Sequence, residues 1–487
     1  MSGPQGREID GGAPQTLEVG ATQLELGGKT LFKAAILGAA LVCVYYGLTA
    51  RVANPLQLYE GMLILVMSML PSLLWAKNGG AQIPMFEVLM LTGANTFALP
   101  LLSGNKSLFS YSDSIIDFAA LTVLGFQMVA ELTYYSLKVL PGRGPLFHRE
   151  VIIKDISRYI GYGLLLTTAY TFVSSLTDWI PYDLSNVLRA VFSGIGLLAV
   201  FVQCQRWGLG TITRYEKVVF ILNILVQVIL QFSTLLLVGG IATLLIALLG
   251  YVSGSRRMPV LALGLTLFVI GFLHNGKSQM RNRYWDNMGV HKTPTLSEMP
   301  DFFSEWIECS LTTTPGLDEE TSASTKLLDR SSLFHLLCLV QSISPDKKPF
   351  LDGATYAFLP GQFIPRFFWP DKPGAHDATN LMTVYYGLQR EEDTTNTTIG
   401  FGIIVEAFVN YGFFGVILIG TILGGFYKFV HGRTKHSPLL SYPGLFTVIL
   451  IAWSFQTEMP LSMWTSSMFQ ACVGVIGLPF LIRHVFG

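Results

Sequence analysis

Apolar positions run along most of the chain in blocks of about 20 residues, the length that crosses roughly 30 Å of hydrocarbon. In order, these blocks predict about twelve transmembrane helices, near 31–50, 57–76, 83–102, 114–137, 157–177, 186–205, 215–232, 234–253, 258–274, 401–430, 438–457 and 463–483. The block 215–253 is too long for one crossing and divides near Ser233, whereas Glu87, Asn95 and Pro100 make the third block the least regular. The spacing contains no internal repeat. The expected class is an all-α integral membrane protein with one long, partly helical segment outside the bilayer, residues 275–400, lying between helices 1–9 (31–274) and helices 10–12 (401–487).

Composition agrees with this reading. Charged residues make up 13% of the chain, about half the share in soluble domains, hydrophobic residues make up 51%, and the mean hydropathy is +0.48. The formal net charge is zero, which gives no ground for a nucleic-acid partner. Residues 1–30 are polar and Gly-rich without the apolar core of a cleavable signal, and are expected to form a disordered cytoplasmic tail.

Lys and Arg in the short loops set the expected orientation. With the N-terminus in the cytoplasm, eighteen of them, from Arg7 to Arg483, fall inside, against Arg51, Lys106 and Arg189 outside. This bias puts both termini in the cytoplasm and residues 275–400 on the other side. A thirteenth crossing would reverse the result, but its one candidate, "SSLFHLLCLVQSI" at 331–343, is too short.

Function is sought in the 275–400 segment, because loops beyond about 12–15 residues are uncommon unless functional or disordered. "PDFFSEWIECSL" from Pro300 places Phe302, Phe303, Trp306, Ile307 and Leu311 at helical spacing, which predicts a helix at the membrane interface. "TTTPGLDEETSASTK" (312–326) reads as a mobile link, and 327–343 as a second helix dipping into the membrane surface. "FIPRFFWPDKPGAH" (363–376) is expected to be a stiff, non-helical strap. Pro365, Pro370 and Pro373 fix φ and push their predecessors toward extended conformations. Arg366 and Lys372 are thereby held in place, and Phe363, Phe367, Phe368 and Trp369 seat the strap among lipid headgroups.

More cations converge on the same side. "HNGKSQMRNRYW" carries His274, Lys277, Arg281 and Arg283 out of the ninth helix, and Arg330 opens the second helix of the long segment. Arginine's planar fork suits phosphate. The plain alternative is that Lys277, Arg281 and Arg283 snorkel to headgroups. Glu406 and Asn410 stand one turn apart at the start of the tenth helix. A carboxylate there needs a cavity or a partner, and one of these arginines is the expected partner, in a structural ion pair or in the site itself.

The order of these motifs resembles the repeat-unit polymerases of bacterial surface glycans, the Wzy family: a basic segment after a span, Arg330-Ser331-Ser332 opening a helix, "IPRFFWPDKPG", then a helix running into "NYGFFGVILIG". The likeness covers roughly 275–425 and extends to the other spans only as general topology. It implies a multispanning, metal-independent glycosyltransferase of the bacterial inner membrane acting on undecaprenyl-diphosphate-linked oligosaccharides, with a flippase and a chain-length regulator as possible partners. A hydroxyl at the non-reducing end of one lipid-linked unit would attack the anomeric carbon of the growing chain, and a lipid diphosphate would leave.

In that reading Arg366, Lys372, Arg330 and Arg281 bind the diphosphate, Glu406 or His376 takes the hydroxyl proton, Asp371 is a further candidate base, and Lys277, Arg283 and Asn410 support the site. His376 also fits an ordinary surface histidine. No metal or other cofactor is expected, since the histidines are scattered and the five cysteines lack ligand spacing. Cys309 and Cys338 share the outer segment, where an oxidising compartment permits a disulfide. Two rival classes stay open. An O-antigen ligase would need the same cations, whereas a transporter of the polysaccharide or the lipid-linked sugar would need broken helices and midplane polar groups, for which Glu60, Gln227 and Gln231 are the candidates.

Overall fold

The computed structural model describes residues 28–52, 54–80, 82–150, 156–176, 179, 182–235, 237–284, 294–312, 332–364, 368–395, 399–477 and 480. Arg330 and Arg366 lie outside these residues. A helix stands at each of the twelve expected positions: α1 Gly28–Thr49, α2 Pro55–Lys77, α3 Met85–Leu102, α4 Asp113–Ser136, α5 Ile156–Leu176, α6 Tyr182–Gly208, α7 Arg214–Phe232, α8 Leu237–Ser255, α9 Val260–Tyr284, then, after the outer segment, α13 Gly402–Thr434, α14 Tyr442–Ser454 and α15 Leu461–Cys472. The segment between α9 and α13 contributes α10 Met299–Thr312, α11 Leu333–Ile343 and α12 Asp377–Tyr385. No strand forms among the described residues.

Among the described residues, six of the twelve are long and apolar enough to cross a membrane: α1, α2, α3, α4, α7 and α13. The protein is therefore a helical membrane protein. The irregular third block is one of the six. It stays helical through a π-turn over Ala94–Ala98, immediately before Pro100. Proline lacks an N–H and its ring crowds the preceding turn, and a wider turn of this kind absorbs such a defect.

The core is built around α13. Gly420 and Gly424, one turn apart, let its backbone lie directly against α4, and a Cβ on Gly424 would stand 2.3 Å from the Ala130 carbonyl oxygen. Close backbone approach at small residues replaces the hydrophobic drive that lipid does not supply between helices. Polar side chains fasten the neighbours: Gln127 of α4 donates to Ser68 of α2 at 2.7 Å, Gln341 of α11 donates to Thr122 of α4 at 3.0 Å, and the Tyr427 and Ser454 hydroxyls join α13 to α14 at 2.8 Å.

Of the two helices expected at the membrane surface, α10 packs one face against α9 and α11 is largely buried. In α10, Phe302, Trp306 and Cys309 are buried on the α9 side, Trp306 Nε1 donates to the Leu273 carbonyl at 2.8 Å, and Ile307 and Leu311 face outward. In α11, Leu333, Phe334, Leu336, Leu337, Cys338 and Val340 are buried among α3, α4 and α13. Cys309 and Cys338 fall in different hydrophobic clusters and no disulfide joins them, so the two thiols serve as core packing.

Candidate functional site

α13 consists of two helical stretches that meet at a kink. Gly402, at φ +69°, starts it and donates its N–H to the Glu458 carbonyl at 2.9 Å. The helix runs to Asn410, then breaks at Tyr411 (φ −139°, ψ 20°) and Gly412 (φ 58°, ψ −149°) before resuming. A break inside an apolar helix frees carbonyls that lipid cannot satisfy. Here the outer segment satisfies them: Leu351 N–H donates to Val409 O at 3.0 Å and Asp352 N–H to Asn410 O at 3.2 Å. The same turn delivers Thr355, whose Oγ1 accepts from Asn410 Nδ2 at 2.7 Å.

Glu406 lies inside this half-helix, fully buried. Its Oε2 accepts the Leu461 N–H at 2.6 Å, in the first turn of α15 directly after Pro460. An unsatisfied N–H at a positive helix end is a natural seat for a carboxylate. The Thr355 hydroxyl faces the same carboxylate. Sequence reasoning expected an arginine beside Glu406; no ion pair to it exists among the described residues, which exclude Arg330 and Arg366, and the end of α15 supplies the hydrogen bond the carboxylate makes. Its second oxygen, Oε1, makes no hydrogen bond; nor do Asn410 Oδ1 and the hydroxyl of Tyr356, whose ring is close enough to interact with the Glu406 charge. Three polar atoms of one neighbourhood are thus buried without partners, which is uncommon in native interiors.

The strap reaches the same helix end. Gln362 Nε2 donates to the Phe358 carbonyl at 3.0 Å and bridges to the carbonyls of Pro373 and Gly374, both at 3.4 Å. Gly374 N–H then meets the Asp377 carboxylate at 2.7 Å as α12 begins. The Ser462 hydroxyl donates to the Ala375 carbonyl at 3.5 Å. His376, half-buried, is therefore the next residue along from a contact on α15 adjacent to the one that holds Glu406. Lys372 is not displayed as expected, since its Nζ donates to the Ile364 carbonyl at 2.7 Å and closes the strap on itself. Asp371 is exposed.

Two of the expected cations share one acidic neighbour. Lys277 and Arg281, one turn apart on α9, both feel the carboxylate of Glu458, whose carbonyl caps Gly402. Burial and the neighbouring Arg281 push the Lys277 ammonium down to about 8, and burial pushes Arg281 down to about 10 against the opposing pull of Glu458. Arg281 Nη2 donates to Leu235 O at 3.1 Å, which ties α9 to the turn between α7 and α8. Arg283 points elsewhere. It pairs with Glu305 of α10, which also accepts from the Tyr284 hydroxyl at 2.6 Å, so Arg283 holds the α9–α10 contact and does not belong to the site.

Sequence reasoning missed Thr355, Tyr356 and the break at Gly412. The signal for the break was the Asn410-Tyr411-Gly412 string, since glycine is the residue that adopts positive φ without strain. Of the midplane polar candidates, Gln227 is occupied with Thr168 at 2.8 Å, and Gln231 faces Thr243 at 3.4 Å. No protein-family model matches the chain, and no curated protein or solved structure does.

Proposed function

We propose that the protein polymerises lipid-diphosphate-linked oligosaccharide units into a surface polysaccharide, in a bacterial inner membrane with both termini in the cytoplasm. The observation that carries this reading is a buried carboxylate having one unbonded oxygen, Glu406, on the half-helix whose first residue is capped by Glu458, the acidic neighbour of the two partly desolvated cations Lys277 and Arg281. In the reaction, the acceptor hydroxyl gives its proton to Glu406 Oε1 as its oxygen bonds to the anomeric carbon. The bond from that carbon to the diphosphate oxygen breaks, and the diphosphate leaves with the electron pair.

Asn410 and Tyr356 are placed to orient the acceptor sugar, since a buried amide and phenol lacking partners suit a hydroxylated ligand. Lys277 and Arg281 stabilise the departing diphosphate. Arg330, Arg366 and Lys372 keep the diphosphate role that the sequence resemblance gives them, with Lys372 released from the Ile364 carbonyl when it acts.

The test uses cells lacking the native gene, complemented at matched protein levels with the wild-type, Glu406→Gln, Arg281→Ala or Arg366→Ala protein, with surface-glycan length read on a gel. The expected result is a ladder with the wild type and single repeat units with each variant. Unchanged ladders from all three variants overturn the assignment of the site. Full-length polymer stranded on its lipid carrier in the deletion strain favours a ligase over a polymerase.

The break in α13 supports a second reading, export of the lipid-linked sugar, because transporters place their substrate sites at interrupted helices. That reading expects lipid-linked single units to accumulate on the cytoplasmic leaflet in the deletion strain. Polymerase loss leaves them on the outer leaflet.

A further inference from the structure

A second constellation lies away from Glu406, between α2 and α4. Each helix carries a carboxylate within its first two turns. Gln57 Nε2 donates to Asp113 Oδ1 at 2.9 Å, and one turn further in, the Glu60 carboxylate interacts with that of Asp117. Glu60 is 8% exposed, its Oε2 and Asp117 Oδ1 are both buried, and neither oxygen has a hydrogen-bond partner. No ion pair to either exists among the described residues. Two like charges held together without a donor are unfavourable, and a neighbouring cation would relieve that.

Immediately below, the same faces of α2 and α4 open into a groove of about 560 Å³ lined by Leu63, Met67, Leu121, Leu124, Met128 and Phe413 among others. Leu63 and Met67 follow Glu60 at helical spacing, and Leu121, Leu124 and Met128 follow Asp117 likewise. The wall is apolar, and Leu63, Leu121, Met128 and Phe413 are all exposed, so the groove faces outward to where lipid would lie. An apolar channel of this size beneath a donor-seeking acidic pair has the shape and polarity of a binding site for an amphiphile with a cationic head.

We infer that the groove between α2 and α4 binds a bilayer lipid with a primary-amine headgroup, its acyl chain along Leu63–Met67 and Leu121–Met128 and its ammonium donating to Glu60 and Asp117. The ammonium supplies three donors and its charge complements the pair. The same carboxylates repel an anionic head, so the groove is distinct from the diphosphate site and its occupancy does not depend on what the protein catalyses. Phe413 ties the groove to the catalytic half-helix, because it directly follows the break at Gly412.

The test reconstitutes the full chain in phosphatidylcholine vesicles containing a few per cent of phosphatidylethanolamine with a photoactivatable acyl chain, and maps the cross-linked peptides. Labelling is expected on the α2 and α4 segments, competed at least fivefold better by unlabelled phosphatidylethanolamine than by phosphatidylglycerol. Glu60→Gln with Asp117→Asn is expected to abolish that preference. Leu121→Trp, which fills the groove and leaves the carboxylates in place, is expected to cut labelling of these peptides at least fivefold. Equal competition by the two lipids, or labelling spread evenly over every lipid-facing helix, overturns the inference, as does label that survives Leu121→Trp.

Discussion

Asn410 Nδ2 reaches Thr355 Oγ1 across 2.7 Å, and this bond fastens the outer segment to the point where α13 breaks. Both groups are fully buried. The turn that carries Thr355 also supplies the N–H groups that satisfy the last carbonyls of the half-helix. The break is therefore a joint between two parts of the chain that are 55 residues apart. Glu406 sits one turn before it.

Glu406→Gln keeps the size of the side chain and an oxygen for the Leu461 N–H but removes the base. The expected outcome is a loss of about 10²–10⁴ in transfer rate, the range typical of a removed general base, with thermal unfolding in detergent unchanged within a few degrees. Equal loss of stability and activity would assign the residue to holding α15 in place.

In the proposed reaction Lys277 sets an upper pH limit. Burial and the neighbouring Arg281 push its ammonium down to about 8. The charged form that would hold a diphosphate is complete well below pH 8 and disappears as pH rises through that value. Transfer rate against pH is expected to fall on the alkaline side with a one-proton dependence, and Lys277→Arg is expected to move that limb up by at least one unit. An alkaline limb that stays in place in Lys277→Arg removes Lys277 from the site.

Gly412→Ala tests the break. The residue has φ +58°, and a Cβ there would stand 2.8 Å from the Phe350 ring. Positive φ costs a residue with a side chain about 1–3 kcal/mol, and the contact adds to it. A lower melting temperature together with reduced transfer is expected, whereas Gly425→Ala, where an added Cβ makes only ordinary contacts, should leave both unchanged.

Arg283→Ala separates the neighbouring cations. Its pair with Glu305 is on the surface, with 56% of the Arg283 side chain exposed, so its removal should cost less than about 1 kcal/mol and leave glycan length intact. Arg281→Ala, two residues earlier, is expected to cost about 10²–10³ in rate if it stabilises the leaving group.

The helices were legible in the sequence because apolar runs carry their own length. All twelve expected blocks are helical, and Ser233 does mark the turn between α7 and α8. Neighbourhood was less legible. Periodicity assigned α11 to the membrane surface, since an apolar stripe does not say what it packs against, and here Leu333, Phe334, Leu336 and Leu337 are buried among α3, α4 and α13. The pairing of Glu406 with the Leu461 N–H was invisible, because the partner is a backbone group whose availability depends on where Pro460 starts a helix. The meeting of Lys277 with Arg281 followed from their spacing, but their approach to Glu458 did not, since 177 or more residues separate them from it.

The burial of α11 has a consequence for biogenesis. α11 belongs to the segment that follows α9, yet it occupies the interior between α4 and α13, both of which it contacts. The first nine helices therefore cannot close their core as they leave the ribosome; the space beside α4 stays open until α11 and then α13 have been made. Assembly of the bundle waits for its last quarter, and a chain truncated before Leu333 should be inserted yet remain a substrate for membrane proteases.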